Sequence, residues 1–113
     1  MRLLNRMVED HLGATFLALS DPTRRGMLAA LATGEKPVGE LAAPYSMSLA
    51  GAAKHVAVLA RAGLVDRRKV GRRQLCSLRP DRLKQASDWL AQWEGFWNER
   101  LGALEAALKE DQA

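Results

Sequence analysis

The side chains of this sequence that could do chemistry are mostly cations, and they are crowded into one stretch. Between residues 46 and 82 lie Lys54, Arg61, Arg67, Arg68, Lys69, Arg72, Arg73, Arg79 and Arg82, opposed only by Asp66 and Asp81, a net charge of +7 in 37 residues. Residues 1–45 are net neutral and residues 83–113 carry −3. A charge imbalance this local makes a field that attracts a polyanion. A solvated basic face would carry the same charges, so their placement on secondary structure has to decide between the two.

Other chemistries find little material. No glycine loop of the phosphate-cradling kind, no nucleophile elbow and no pair of carboxylates at useful helical spacing is present, so no catalytic residue is assigned and the chain is expected not to be an enzyme. Cys76, His11 and His55 lie on three different elements, and three unpaired Cys/His residues fall short of the four that a structural zinc site needs. No metal and no cofactor is expected. Cys76, the only cysteine, cannot form an internal disulfide and suits a reducing, cytoplasmic setting. The first ten residues carry Arg2, Arg6, Glu9 and Asp10, unlike a signal peptide. The longest uncharged run, Leu41–Ala53, is interrupted by Pro44 and is shorter than the ~20 residues of a membrane span. No membrane association is expected. With 113 residues, 48% apolar and 27% charged, the chain has the make-up of one globular domain.

The elements that must position the cations can be read from spacing. Leu3, Leu4, Met7, Leu12, Phe16, Leu17 and Leu19 recur every three to five residues and predict a first amphipathic helix over about 3–18. Ser20-Asp21-Pro22-Thr23 opens a second helix, with Asp21 as N-cap and Pro22 in the first turn. Met27, Leu28 and Leu31 form its buried side, and Thr33-Gly34 is expected to close it with a glycine cap. A short third helix begins near Pro37 or Val38 and must end before Pro44. Ser46-Met47-Ser48 then forms a turn, and Ser48 caps a fourth helix from Leu49 to Arg61. Leu49, Ala52, Ala53, Val56 and Leu59 are expected to face inward. Together the third and fourth helices make a helix-turn-helix over about 38–61.

After Gly63 the period shortens. Two short stretches flank a cationic Gly71-Arg72-Arg73 tip and predict a β-hairpin, or wing, over about 64–78. The expected fold is therefore all-α with a small β-hairpin wing, a winged helix-turn-helix in one domain. Its last element is predicted as one helix over about 81–110. Ala86, Trp89, Leu90, Trp93, Trp97, Leu101, Leu104 and Leu108 fall on one stripe of that helix. Thirty helical residues span ~45 Å, whereas a compact domain of this size has a radius of gyration of only ~13 Å. One subunit cannot cover such a stripe, and a two-fold homodimer is the usual remedy. Leu4 and Met7 of the first helix, with Trp89, Leu90, Trp93, Trp97, Leu101, Leu104 and Leu108 of the last, are expected at that dimer interface.

Placed on these elements, the cations form a constellation suited to double-stranded DNA. A helix in the major groove offers its N-terminal residues and one face to base edges. Here those positions are Ser46 and Ser48 in the turn and Ala50, Gly51, Lys54 and His55 on the helix. Arg67, Arg68, Lys69, Arg72 and Arg73 of the wing then fall on the flanking backbone or minor groove.

The segments Leu19–Arg25, Val38–Ala42, Met47-Ser48-Leu49, Lys54–Leu59, Ala62–Val65 and Gly71-Arg72 together resemble the ArsR/SmtB family of bacterial winged-helix repressors, collinearly from about Phe16 to Leu104. The turn Ala43–Ser48 and the tail around Trp89, Phe96-Trp97 and Arg100-Leu101 resemble its metal-independent branch. The cysteines of its metal-sensing members have no counterpart in Glu35–Leu41. The resemblance implies a homodimeric repressor that binds an imperfect palindrome, a promoter operator, with Ser48–Arg61 as recognition helix and Asp66–Ser77 as wing. Ala53 stands where related recognition helices often carry Ser. A metal- or thiol-responsive repressor using Cys76, and a winged helix serving as a protein-interaction module, are the alternatives. The small-molecule effector, if any, is unknown.

Overall fold

The computed structural model describes residues 2–112, with side chains described for residues 9–111. Along the chain come α1 (Arg2–Leu19), α2 (Pro22–Leu31), β1 (Lys36–Pro37), α3 (Val38–Ala42), α4 (Leu49–Arg61), β2 (Val65–Val70), β3 (Arg73–Leu78), α5 (Asp81–Ala91) and α6 (Glu94–Gln112).

Local chemistry accounts for most of these boundaries. The Asp21 carboxylate accepts from the Arg24 amide at 3.0 Å and starts α2, with Pro22 preset for the first turn. The helix ends at Ala32, two residues before the expected glycine cap, and Gly34 (φ +141°) lies in the connection beyond it. Pro37 sits at the N-cap of α3, whose Val38, Leu41 and Ala42 are buried. Ser48 caps α4 through its hydroxyl oxygen, which accepts from the Gly51 amide at 3.0 Å.

The two-residue turn Gly71-Arg72 joins β2 to β3, with Val70 opposite Arg73. Gly71 has φ +62°, and a left-handed first residue is what a type II′ hairpin turn requires. Arg73 is thus part of the strand rather than the tip. One strand was not foreseen: Lys36 and Pro37 pair with Cys76 and Leu75, so the sheet has the order β1-β3-β2, antiparallel throughout. Proline is tolerated there because β1 is an edge strand.

The core gathers α1, α2, α3, α4 and the base of the wing. Met27, Leu41, Val56, Leu59 and Leu64 are its largest fully buried apolar side chains, each stabilising by roughly 1.5–3 kcal/mol relative to exposure. On α4 the buried line runs through Ala52, Val56 and Leu59. Leu49 and Ala53, expected inward, point out instead. They sit about 55° and 95° around the helix from the centre of that line at 100° per residue, and the core does not reach them.

Gly63 closes α4 with φ +79°, and the Arg82 guanidinium would lie 2.5 Å from a Cβ placed there. That guanidinium donates to the Ala62 carbonyl at 2.8 Å. Gly63→Ala is expected to cost about 1–2 kcal/mol in left-handed strain and to displace Arg82. A urea titration reading an unchanged midpoint would contradict this.

The predicted last helix is two. α5 and α6 are separated at Gln92 and Trp93, where the Trp93 amide bonds three residues back to the Leu90 carbonyl at 3.0 Å. Gly95, a weak helix former, lies just beyond the break. α5 packs on α1 and buries Ala86, while α6 extends away, giving extents of 68 × 41 × 21 Å and a radius of gyration of 19.0 Å. No described helix is long and apolar enough to cross a membrane.

Candidate nucleic-acid interface

Six cations project from α4 and the wing without an ion-pair partner among the described residues: Lys54, Arg61, Arg67, Lys69, Arg72 and Arg73. All are exposed. The other three of the cluster are occupied within the chain. Arg68 makes a two-point bond to Glu35, at 2.6 and 3.1 Å, which ties the wing to the loop before β1. Arg79 lies 3.6 Å from Asp66, and Arg82 caps α4 as described. Arg68, expected on DNA, also braces the wing from an exposed position. Arg61, counted in the cationic cluster but not among the expected DNA contacts, shares the solvent side of α4 with Ala50 and Lys54.

The N-terminal end of α4 faces the wing across a groove of about 480 Å³ lined by Leu49, Ala53, Arg72, Arg73, Gln74 and the start of α3. Ser46 and Ser48 are exposed in the turn that precedes the helix. The Ser48 hydroxyl accepts in its capping bond and keeps its own proton to donate outward. Gly51 is half-buried; a Cβ there would stand 3.3 Å from the Ser48 oxygen, so its part is to keep the turn tight.

His55 is turned the other way. Its Nδ1 lies 3.4 Å from Arg24 Nη1 and 3.9 Å from Asp21 Oδ2, half-buried between α4 and α2. Arg24 also donates to the α1 carbonyls of Ala18 at 2.7 Å and Leu17 at 3.1 Å. One guanidinium thus joins the end of α1, the start of α2 and the middle of α4. Its reach across 31 residues of sequence to His55 leaves no local signature.

Two carboxylates hold this frame. The Arg24 amide keeps the Asp21 carboxyl below its ordinary value of 3.8, and the Arg68 side chain keeps Glu35 below 4.5. A depressed carboxylate stabilises the fold above its unfolded value and loses that contribution as pH falls through the folded one. Acidification below about pH 4 is therefore expected to lower the thermal midpoint, less so in Glu35→Gln, as circular dichroism melts would record. Equal acid sensitivity in the two proteins would refute the Glu35 part.

Cys76 is fully buried, and burial pushes its thiol pKa up. Among the described residues no three His, Cys, Asp or Glu side chains gather as metal ligands.

The expected dimer face is an exposed aromatic ladder. Phe16 meets Trp89 edge-on at 5.9 Å, Trp89 meets Trp93 at 5.9 Å, Trp93 meets Phe96 at 6.2 Å and Phe96 meets Trp97 at 5.4 Å. Leu90, Leu101, Leu104 and Leu108 continue it in the open. On α6 the residues Trp97, Leu101, Leu104 and Leu108 step by four, three and four, the seam of a coiled coil. Leu4 and Met7 have side chains outside the described residues.

Residues 19–68 match the model of a helix-turn-helix domain family. The HTH-type transcriptional regulator Rv2034 of Mycobacterium tuberculosis is 37% identical over 84 residues, covering 74% of this chain and 76% of that protein. The crystal structure of an ArsR family transcriptional regulator, RHA00566, superposes at TM-score 0.74 with 34% identity, over 80% of this chain and 93% of that one. A homodimeric winged helix-turn-helix DNA-binding domain of Mycobacterium bovis, Mb0332, matches at TM-score 0.62 with 26% identity, over 86% and 87% of the two chains.

Proposed function

The chain belongs to the ArsR family of winged helix-turn-helix transcriptional regulators, which are not enzymes, and from that membership we propose that it is a homodimeric repressor binding a palindromic promoter operator without a metal. The observation that carries the reading is the shared groove: wing residues Arg72 and Arg73 line the same cleft as the exposed Leu49 and Ala53 on the flank of α4. A duplex laid against α4 puts its flanking phosphates on the two guanidiniums, and phosphate contacts fix register while base edges fix sequence. The homodimeric state of the Mycobacterium bovis domain and the uncovered aromatic ladder support pairing of two copies through α1, α5 and α6. A promoter-binding regulator of this bacterial type works in the cytoplasm, where the DNA is. Repression without metal rests on the absence of cysteines from Glu35–Leu41 and on the burial of Cys76.

The test is a mobility-shift titration on duplexes selected from random sequence and on the DNA upstream of the chain's own reading frame, with and without added zinc. Nanomolar binding unaltered by zinc or by a chelator supports the reading. Binding that zinc abolishes overturns the metal-independent part, and no shift on any duplex overturns the whole.

A further inference from the structure

The six cations without an ion-pair partner among the described residues would account for how a duplex is held, not for how one sequence is chosen. Most hydrogen bonding from a recognition helix to bases comes from long polar side chains, and the outer side of α4 has few. Its N-terminal half presents Leu49, Ala50, Ala53 and Lys54 to solvent, and Arg61 follows a full two turns later. Leu49 is 62% exposed, although it belongs neither to the core nor to the aromatic ladder of α1, α5 and α6. With Ala53 it forms an apolar wall of the groove whose other wall carries Arg72 and Arg73. The two guanidiniums on that wall favour a sugar–phosphate strand as the occupant by charge. A strand held there would run beside Leu49 and Ala53, with exposed Ala50 next to them on α4, and would turn its major-groove base edges toward that end of the helix. On those edges the group that favours an apolar neighbour is the thymine C5-methyl.

We propose that this helix chooses its sequence chiefly through apolar contacts of Leu49, Ala50 and Ala53 with thymine methyl groups, with Lys54 as the accompanying hydrogen-bond donor. The inference rests on the DNA-binding reading and adds to it the chemical feature being read. It places thymines at fixed positions of each half-site. It also makes specificity depend on the loss of methyl hydration rather than on a donor–acceptor code.

The experiment uses the full chain and a duplex selected from random sequence. Each thymine in the protected region is replaced in turn by deoxyuridine, which pairs identically and lacks only the methyl. Burial of one methyl contributes about fourfold in affinity, so a symmetric replacement in both half-sites is expected to weaken binding about fifteenfold. Leu49→Ala is expected to shrink the penalty at one thymine per half-site. Its exposure lets the variant keep the fold, as an unchanged circular dichroism spectrum would verify. Selected sites without thymine opposite α4, or deoxyuridine duplexes bound as tightly as the parent, would overturn the methyl reading while leaving DNA binding intact. Failure to select any duplex would instead overturn the DNA-binding reading on which it stands.

Discussion

Replacing Arg72 and Arg73 together by alanine is expected to lower affinity for every duplex, specific or not, by up to about a thousandfold at 0.15 M salt. A dimer carries four of these guanidiniums. Each phosphate neutralised adds ~0.9 to the slope of log affinity against log salt, so the slope should flatten by up to ~3.6. Extrapolated from 1 M to 0.15 M salt, that change in slope amounts to about three decades in the binding constant. Both side chains are exposed and lack an ion-pair partner among the described residues, so the fold should not notice their loss. The contrast with Arg68→Ala is informative. Arg68 is bonded to Glu35, whose carboxylate offsets its charge, so its removal should loosen the wing while flattening the salt slope less. A double variant that retained parental affinity and slope would show that the wing tip does not touch phosphate.

The second large effect concerns assembly. In one subunit Trp97 is 59% and Leu104 56% exposed, and each large apolar side chain left in water forgoes roughly 1.5–3 kcal/mol of burial. Trp97→Glu with Leu104→Glu places two like charges on the seam of α6. The solution mass, measured by light scattering, should fall from about twice the 12.4 kDa of one chain to that of one chain. Helix content should stay, because neither residue supports the core. Operator affinity should drop by about 10²–10⁴, the advantage lost when a second linked site no longer engages. A variant that still weighed twice one chain would place the subunit contact elsewhere.

Much of this architecture was legible from local rules. Asp21-Pro22 and Ser48 announced their helices because a short oxygen-bearing side chain three residues before an unpaired amide is a strong, local signal. Gly71 between two β-type stretches did the same for the wing. What escaped detection depends on partners remote in sequence. Lys36-Pro37 becomes a strand only because β3 lies beside it, and no propensity favours a proline there. The Arg68–Glu35 bond spans 33 residues, and the turning of His55 toward Arg24 spans 31, so neither partner could be read from the local sequence. Leu49 and Ala53 have the right period for the core of α4, but periodicity does not say how far the core extends along and around a helix. The same limit hid the interruption at Gln92 and Trp93: the apolar stripe continues across it, and of the two helix-weakening glycines, Gly95 and Gly102, only the first lies near the break. The side chains of the stripe remain uncovered in one subunit, as its length implies.

All of these effects depend on two copies presenting α4 and the wing to one duplex. Hydroxyl-radical footprinting of the complex measures that arrangement directly. Two equivalent protected segments are expected, their centres about 10–10.5 base pairs apart or a multiple of that, each flanked by wing protection that disappears in the Arg72→Ala/Arg73→Ala protein. A single unpaired segment, or two that keep their wing protection in that variant, would contradict the account.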